Sequence, residues 1–471
     1  MEKRLSTIAT QSTPREAAMQ TPSRREFLNS SAAAAGSFTL PSIVPNRVRG
    51  ANERVRVALI GAGGRGSFVA QLFAERKDAE IATVCDLLPT RLANGVKGIA
   101  AKQATAPKAE SEFRRVLEDK NIDAVIVGTQ DHWHALMTIY ACQAGKDVYV
   151  EKPPTHNIWE GRKMVEAARK YNRVVQVGTQ NRSIPANIAA REYIAAGKLG
   201  DVHWVKMYNC KPPAKFTLPP DDPAPAGFNW DTWIGPATFR PHNSGIFNGM
   251  YHRLWDYSGG DLADDGVHQI DLAMMILGDP DMPTSVHSAG GRYQFKDDCE
   301  VPDTQVSTLQ FKDFVMTCEN TLFTPYMHKI AIDIRQSDNF PFWPSCATRV
   351  EVYGSKGLMY IGVHGGGWQV FGEAKQQSRP YELVAQGYGR PGDVVHQDDF
   401  IDAIKTSRKP KADAEIGHRS ATLVHLCNIA HRVGNEKLNF DPKTERFVGN
   451  EAANKLVRRN DRKAWAVPEK V

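Results

Sequence analysis

Arg54-Val55-Arg56-Val57-Ala58-Leu59-Ile60-Gly61-Ala62-Gly63-Gly64-Arg65-Gly66 is the stretch on which the fold turns. An aliphatic run that stops at a glycine reads as a buried strand entering a tight turn. Gly61, Gly63 and Gly66 have the G-x-G-x-x-G spacing, and a helical pattern follows to about Arg76. Gly61 permits the turn, Gly63 lets a pyrophosphate approach the backbone, and Gly66 lets the helix pack on the strand. A second strand, Glu80 to Cys85, ends at Asp86, twenty residues beyond Gly66. An acid there accepts hydrogen bonds from the adenosine ribose and repels a 2′-phosphate, which favours NAD. Arg65 keeps NADP open, since a nearby arginine can hold that phosphate. Gly61, Gly63, Gly64, Arg65, Gly66 and Asp86 are the first candidate cofactor residues.

The alternation continues outward. The pattern predicts a helix over 111–118, a strand over 123–128, a helix over 132–144, a strand over 147–150, a helix over 158–171 and a strand over 173–177. Strands alternating with helices imply a parallel sheet covered on both faces. Ligands of such sheets bind beyond the carboxyl ends of the strands. Lys152, in Glu151-Lys152-Pro153-Pro154, follows the strand at 147–150 and is placed there by topology. An exposed loop lysine is the competing reading at this point.

At 471 residues, the chain is too long for one ordinary core. With 41% hydrophobic and 24% charged residues it has the composition of a globular protein. Of the net charge of +6, most sits in residues 1–50, which carry seven basic and three acidic residues. No basic stripe remains that would point to nucleic acid. Seven cysteines, none spaced C-x-x-C, argue against a disulfide framework or a zinc site. No metal is expected.

Ser23-Arg24-Arg25-Glu26-Phe27-Leu28-Asn29 precedes a mildly apolar run to Val44. This is the layout of a bacterial twin-arginine signal, too interrupted by polar residues to make a good membrane span. Export to the periplasm with the cofactor already loaded is the expectation, with the twin-arginine machinery as partner.

The chain resembles the Gfo/Idh/MocA family of sugar and polyol oxidoreductases. The matching pieces are Gly61 to Gly66, Glu151-Lys152-Pro153 and Asp264-Asp265-Gly266-Val267-His268, in family order over about residues 54–435. Phe228 to Pro236, with Trp230-Asp231-Thr232-Trp233, looks like an exported subgroup. Gln130 departs from the proline many members carry. The resemblance implies an α/β architecture: a Rossmann-type parallel-sheet domain over 51–178, after a signal and linker over 1–50. An α+β domain with a large, mostly antiparallel sheet follows over 179–471, its last helices packing back on the first domain. It implies NAD as cofactor, with Thr129, His134, Glu151 and Lys152 joining the cofactor set, and the expected export adds that the nucleotide is tightly bound. It also implies a sugar or polyol substrate and a homo-oligomer.

In the second half, Asp264, His268, Asp271 and Met275 share one stripe at helical spacing. The resemblance sets Asp264 and His268 opposite the nicotinamide with Lys152, as the catalytic group. Asp265 is set aside on family register rather than on spacing. A histidine near its ordinary pKa of about 6.5 suits the hydroxyl proton, and a lysine favours the developing alkoxide. Residues 210–250, with eight prolines, read as an ordered loop over the active site. Trp230, Trp233, Tyr251 and Trp255 are candidate sugar-binding aromatics, or pins of that loop. Alternating runs at 304–311, 314–320, 329–335, 349–353 and 358–361 predict the antiparallel sheet, with a hairpin at Tyr353–Gly357. Helices are predicted at 396–405 and 417–433, and His364-Gly365-Gly366-Gly367-Trp368 reads as a turn. The functional expectation is an NAD(P)-dependent oxidoreductase of a sugar, glycoside or polyol. The alternatives are a glycoside hydrolase that oxidises a ring carbon transiently, and a non-catalytic nucleotide-dependent binding protein.

Replacing Arg24 and Arg25 by lysine should leave the protein in the cytoplasm. Unchanged recovery from the periplasm on fractionation would show that residues 23–50 do not direct export.

Overall fold

The computed structural model describes residues 54–373 and 382–471. The signal expected in residues 1–50 lies outside them. Six strands, β1 (Val55–Ile60), β2 (Ala79–Cys85), β3 (Lys108–Glu110), β4 (Ala124–Val127), β5 (Asp147–Val150) and β6 (Val175–Val177), form a sheet in the order β3-β2-β1-β4-β5-β6. Every pairing is parallel. Apart from the short edge strand β3, the strands are largely buried on both faces, which is why β1, β2, β4 and β5 read as mostly apolar runs. The order reverses between β1 and β4, so a crevice opens beyond their carboxyl ends. The predicted strands and helices of this half are present, with small shifts at their ends.

The second sheet has ten strands: β7 (Val202–Cys210), β8 (Ser285–Gly291), β9 (Thr304–Gln310), β10 (Val315–Thr321), β11 (Thr348–Gly354), β12 (Gly357–Gly362), β13 (Trp368–Phe371), β14 (Leu383–Gly387), β15 (Leu438–Asp441) and β16 (Arg446–Phe447). Their order is β14-β13-β12-β11-β7-β10-β9-β8-β15-β16. All neighbours are antiparallel except β7 and β10. The hairpin expected at Tyr353–Gly357 joins β11 to β12, with Gly354 opposite Gly357.

Two readings of this half are corrected. β7, absent from the sequence reading, runs through the middle of the sheet. Its inward residues are Val205 and Met207, while its outer face is Trp204, Lys206 and Tyr208, so its alternation is weak. The run 329–335 is not a strand. Of its alternating isoleucines only Ile330 is buried, while Ile332 is 60% exposed. Without a partner strand the backbone closes a helical turn, Ile332–Arg335, with the Arg335 N–H on the Ala331 carbonyl.

The late helices Asp393–Thr406 and Ala414–Arg432 lie against the parallel sheet. Phe400 packs edge-on to Phe73 and Tyr149, the His396 ring bonds the Val177 carbonyl at 2.9 Å, and Gln397 bonds that of Val69. Gly417 permits the closest contact, since a Cβ there would lie 2.4 Å from Val177.

The helix Val267–Ile276 is buried along its whole length and is entered through a π-helical turn, Leu262–Gly266. That wide turn breaks the single stripe expected for Asp264, His268, Asp271 and Met275. Asp271 points into the protein, where it accepts from Arg182 at 2.8 Å and from the Ser420 hydroxyl. Arg182 also reaches Asp279 at 2.8 Å. Both Arg182 and Asp271 are almost fully buried. Removing one partner of a buried pair strands the other charge. Arg182→Met should therefore lower stability by about 3–5 kcal/mol in urea titration. A loss under about 1 kcal/mol would mean that the pair does not hold this helix.

Candidate active site

The glycine loop follows β1 directly. Gly61 has φ +92°, and a Cβ there would meet the Gly128 carbonyl oxygen at 2.6 Å. A Cβ at Gly66 would lie 2.1 Å from the Gly61 carbonyl oxygen. The turn after β1, the turn after β4 and the first turn of the helix Gly64–Ala74 are thus in backbone contact. A side chain at Gly63 or Gly64 would meet nothing within 4 Å, so both face open space. No side chain caps this helix. Its free first-turn amides and positive dipole end suit a pyrophosphate.

A cleft of about 610 Å³ opens there. Gly61, Gly63, Asp86 and Thr129 line it. The Asp86 carboxylate accepts from the Ala62 and Leu88 amides, each at 2.8 Å. Burial raises its pKa against these bonds. The Thr129 hydroxyl is buried without a hydrogen-bond partner, as expected where a ligand group completes the pairing. These residues fit a dinucleotide.

Arg65 is not at the Asp86 end. Its guanidinium bonds Glu151 and Asp393, each at 2.9 Å. Glu151 is buried and ties the glycine-loop helix to the end of β5. The cation beside Asp86 is Arg91, which lines the cleft and lies over the Phe247 ring at 4.4 Å. Sequence reasoning missed it because it comes from the helix after β2. His134 bridges the Pro153 carbonyl at 2.7 Å and the Thr129 carbonyl at 3.1 Å, locking the turns after β4 and β5 together.

Lys152 leaves β5 on a turn with a cis Lys152–Pro153 bond. Its ammonium donates to the Asp264 carbonyl at 2.5 Å and to the Asp264 carboxylate at 2.7 Å. Burial opposes the charge, but Asp264, Asp265 and Glu151 outweigh it and hold Lys152 above the ordinary lysine range. Asp264 is held well below the carboxylate range: burial opposes, and Lys152, His252 and Lys211 prevail. His268 is displaced well below the usual imidazole value by burial, then by His364 and Lys152, and is neutral at pH 7. Its Nδ1 has no partner.

The π-turn turns Asp265 toward His268. Asp265, His268 and His364 place their ligand atoms within 4.8 Å of one another, close enough to share a small ligand. Lys329 and Lys211 stand 2.6 and 3.2 Å from the Asp265 carboxylate and take the charge that a metal ion would need. Asp265, which the family register sets aside, is thus the acid beside His268, while Asp264 is the one on Lys152. His364 has φ 61° and is held by a bond from its N–H to Asn181, its ring edge-on to His268 at 4.3 Å. A second group was also missed. His252 stands 3.6 Å from Asp131, itself bonded by the Ser258 hydroxyl, and the Tyr251 ring lies on His252 at 4.0 Å. Only the fold brings these segments together.

The aromatic candidates divide. Tyr251 feels both Asp131 and Asp264 and so belongs to the Lys152 region. Trp230 and Trp233 are buried, stacked on each other at 4.4 Å, in a small core of the loop. Trp233 lines the nucleotide cleft with Phe228, Thr232 and Phe247, and its carbonyl accepts from Trp133 at 2.9 Å. The loop therefore closes over the cleft, and Trp230 acts as its pin rather than as a sugar platform. Trp255 lines a different cavity with His156 and Arg432.

Comparison with known proteins follows the same division. The profile of the Gfo/Idh/MocA oxidoreductase family, NAD-binding Rossmann fold, matches residues 55–179. That of the family's C-terminal alpha/beta domain matches 199–314 and 365–467. The scyllo-inositol 2-dehydrogenase (NAD(+)) of Bacillus subtilis is 27% identical over 312 residues, 66% of this chain and 74% of that protein. A glycosyl hydrolase family 109 protein of Stenotrophomonas maltophilia is 39% identical over 134 residues, 27% of this chain and 29% of its own. The WlbA dehydrogenase of Bordetella pertussis, solved with NADH and UDP-GlcNAcA, has the same fold. Its TM-score is 0.60 at 18% identity, over 83% of this chain and 99% of that one.

Asp86 lines the cleft with Arg91 beside it, and the expectation is that it sets the nucleotide preference. Wild-type protein should bind NAD over NADP, and Asp86→Ser should move the preference toward NADP through Arg91. Titration of stripped protein with both nucleotides reads this. An unchanged ratio in Asp86→Ser would remove Asp86 from that role.

Proposed function

We propose that this chain, which belongs to the Gfo/Idh/MocA oxidoreductase family through both of its halves, is an NAD(P)-dependent dehydrogenase of a hydroxyl or carbonyl carbon in a sugar, glycoside or polyol. The observation that carries the reading is the joint state of Lys152 and His268. A charged ammonium and a neutral imidazole stand together at the end of β5, one residue beyond Glu151, which is tied to the glycine-loop helix. A nicotinamide nucleotide in the cleft supplies the hydride acceptor for such chemistry. His268, unprotonated, takes the hydroxyl proton. Lys152, fixed by Asp264, faces the developing alkoxide and lowers its energy.

We also assign the protein to the periplasm, on the twin-arginine pattern around Arg24 and Arg25. There, no pool of free nucleotide replaces a lost one, so the cofactor loads before export and stays bound under the loop over the cleft. Regeneration comes from a second substrate at the same site. The 39% identity to a family 109 glycosyl hydrolase supports a second reading, in which the ring carbon is oxidised only transiently and a glycosidic bond is cut. Sugar release without net nucleotide reduction distinguishes the two.

Protein purified from the periplasm without added nucleotide should carry close to one equivalent per chain. Empty protein that turns over only with added nucleotide would sink the retention idea. Lys152→Ala and His268→Ala should each lower turnover by about 10²–10⁴-fold while still binding nucleotide. Near-normal turnover in either would remove that residue from the chemistry. The acid limb of the oxidation pH profile should lie below the ordinary histidine value of about 6.5, because the shifted His268 protonates only in more acid solution.

A further inference from the structure

The oxidation uses one imidazole, yet the site holds a second one, His252, shifted in the opposite direction. His252 comes from the loop Met250–Arg253. Asp131, at the start of the helix Asp131–Gln143, stands 3.6 Å from its Nδ1. Asp264 faces it from the π-turn, Lys152 from the turn after β5, and Tyr251 from its own segment. The two carboxylates outweigh burial and the Lys152 charge, and raise the His252 pKa. Asp131 stays ionised: burial opposes, and His252, His134 and the Ser258 hydroxyl prevail. Asp264 links the two imidazoles, since it bonds Lys152 and attracts His252. His268, beside Lys152, is kept neutral. One imidazole is thus poised to accept a proton and the other to give one. A dehydrogenase needs no second proton donor, whereas cutting a C–O bond does.

We propose that His252 is a second acid–base residue of this site and protonates the oxygen that departs when a glycosidic bond near the oxidised carbon is broken. Asp131 is its positioning residue. The step rests on the reading that a ring carbon is first oxidised to a ketone. The carbon next to that ketone loses a proton to His268, neutral again after passing the hydroxyl proton to solvent. The electron pair left behind forms a carbon–carbon double bond, the C–O bond beyond it breaks, and the leaving oxygen takes the His252 proton. No oxidant is consumed, because the bond that breaks carries away the electron pair released by the C–H bond.

Two glycosides of one sugar test this, one with a 4-nitrophenyl and one with a methyl leaving group, on nucleotide-loaded enzyme. The sugar is chosen from a panel as one whose ring the enzyme oxidises. A nitrophenolate departs without help, but a methoxide needs the proton. His252→Gln should slow methyl glycoside cleavage about 100-fold and affect the 4-nitrophenyl glycoside far less. Equal losses on both would overturn the proposal. In histidine-labelled wild-type protein, the resonance that His252→Gln removes should titrate above about 6.5. Asp131→Asn should bring it down and move the alkaline limb of methyl glycoside cleavage to lower pH, since the acid form is lost sooner. A wild-type His252 that titrates below the ordinary value also overturns the assignment, with or without substrate. Enzyme that oxidises the sugars but cleaves neither glycoside refutes the His252 role and leaves the dehydrogenase reading standing. Failure to oxidise any sugar removes both.

Discussion

The ion pair between Lys152 and Asp264 is the interaction on which the site depends. It joins the end of the parallel sheet to the π-turn of the second half, 112 residues away in sequence. Lys152 gives two hydrogen bonds to one residue, to its backbone and to its carboxylate, which fixes the direction of the ammonium. The pair is largely buried, so its attraction is little screened and each partner keeps its charge. The same ammonium helps keep His268 neutral, and the same carboxylate raises the pKa of His252. One contact thus acts on both imidazoles, together with burial, His364 and Asp131.

The nucleotide half is held by packing of a different kind. Gly61, Gly66 and Gly128 bring three backbone segments so close that no side chain fits between them. Glu151 then fastens the glycine-loop helix to the strand that delivers Lys152, through Arg65. The nucleotide end and the chemical end are thus joined by direct contacts. The loop carrying Trp230 and Trp233 is fastened by hydrogen bonds from His132 and Trp133 to the Trp233 carbonyl, at 3.0 and 2.9 Å. Its own apolar core holds it together as a cover over the cleft.

Much of this was legible from local pattern. Glycine spacing after an aliphatic strand, the acid at the end of the next strand and the alternation of elements are short-range signals. Each reflects a constraint within a few residues: a left-handed turn, a Cβ that does not fit, a strand buried on both faces. So the Rossmann-type half, Gly61 to Gly66, Asp86 and the position of Lys152 followed directly. The pairing of β11 with β12 was equally local, because a tight hairpin fixes its own register.

The sequence by itself therefore determined the fold class, the nucleotide loop and the residue types of the chemistry. Only the tertiary structure decided which of them meet. A helical repeat aligned Asp264 with His268, but a π-turn sent Asp264 to Lys152 and Asp265 to His268. Periodicity is blind to one wide turn, since the turn is stabilised by partners from other elements. Arg91 rather than Arg65 stands near Asp86, because Arg65 is captured by Glu151 and Asp393. Strand β7 joins the sheet through β10 and β11, more than a hundred residues downstream. His252 and Asp131 are likewise separated by more than a hundred residues, and nothing in either segment names the other. Such contacts depend on burial and on charge partners that exist only after the chain has folded.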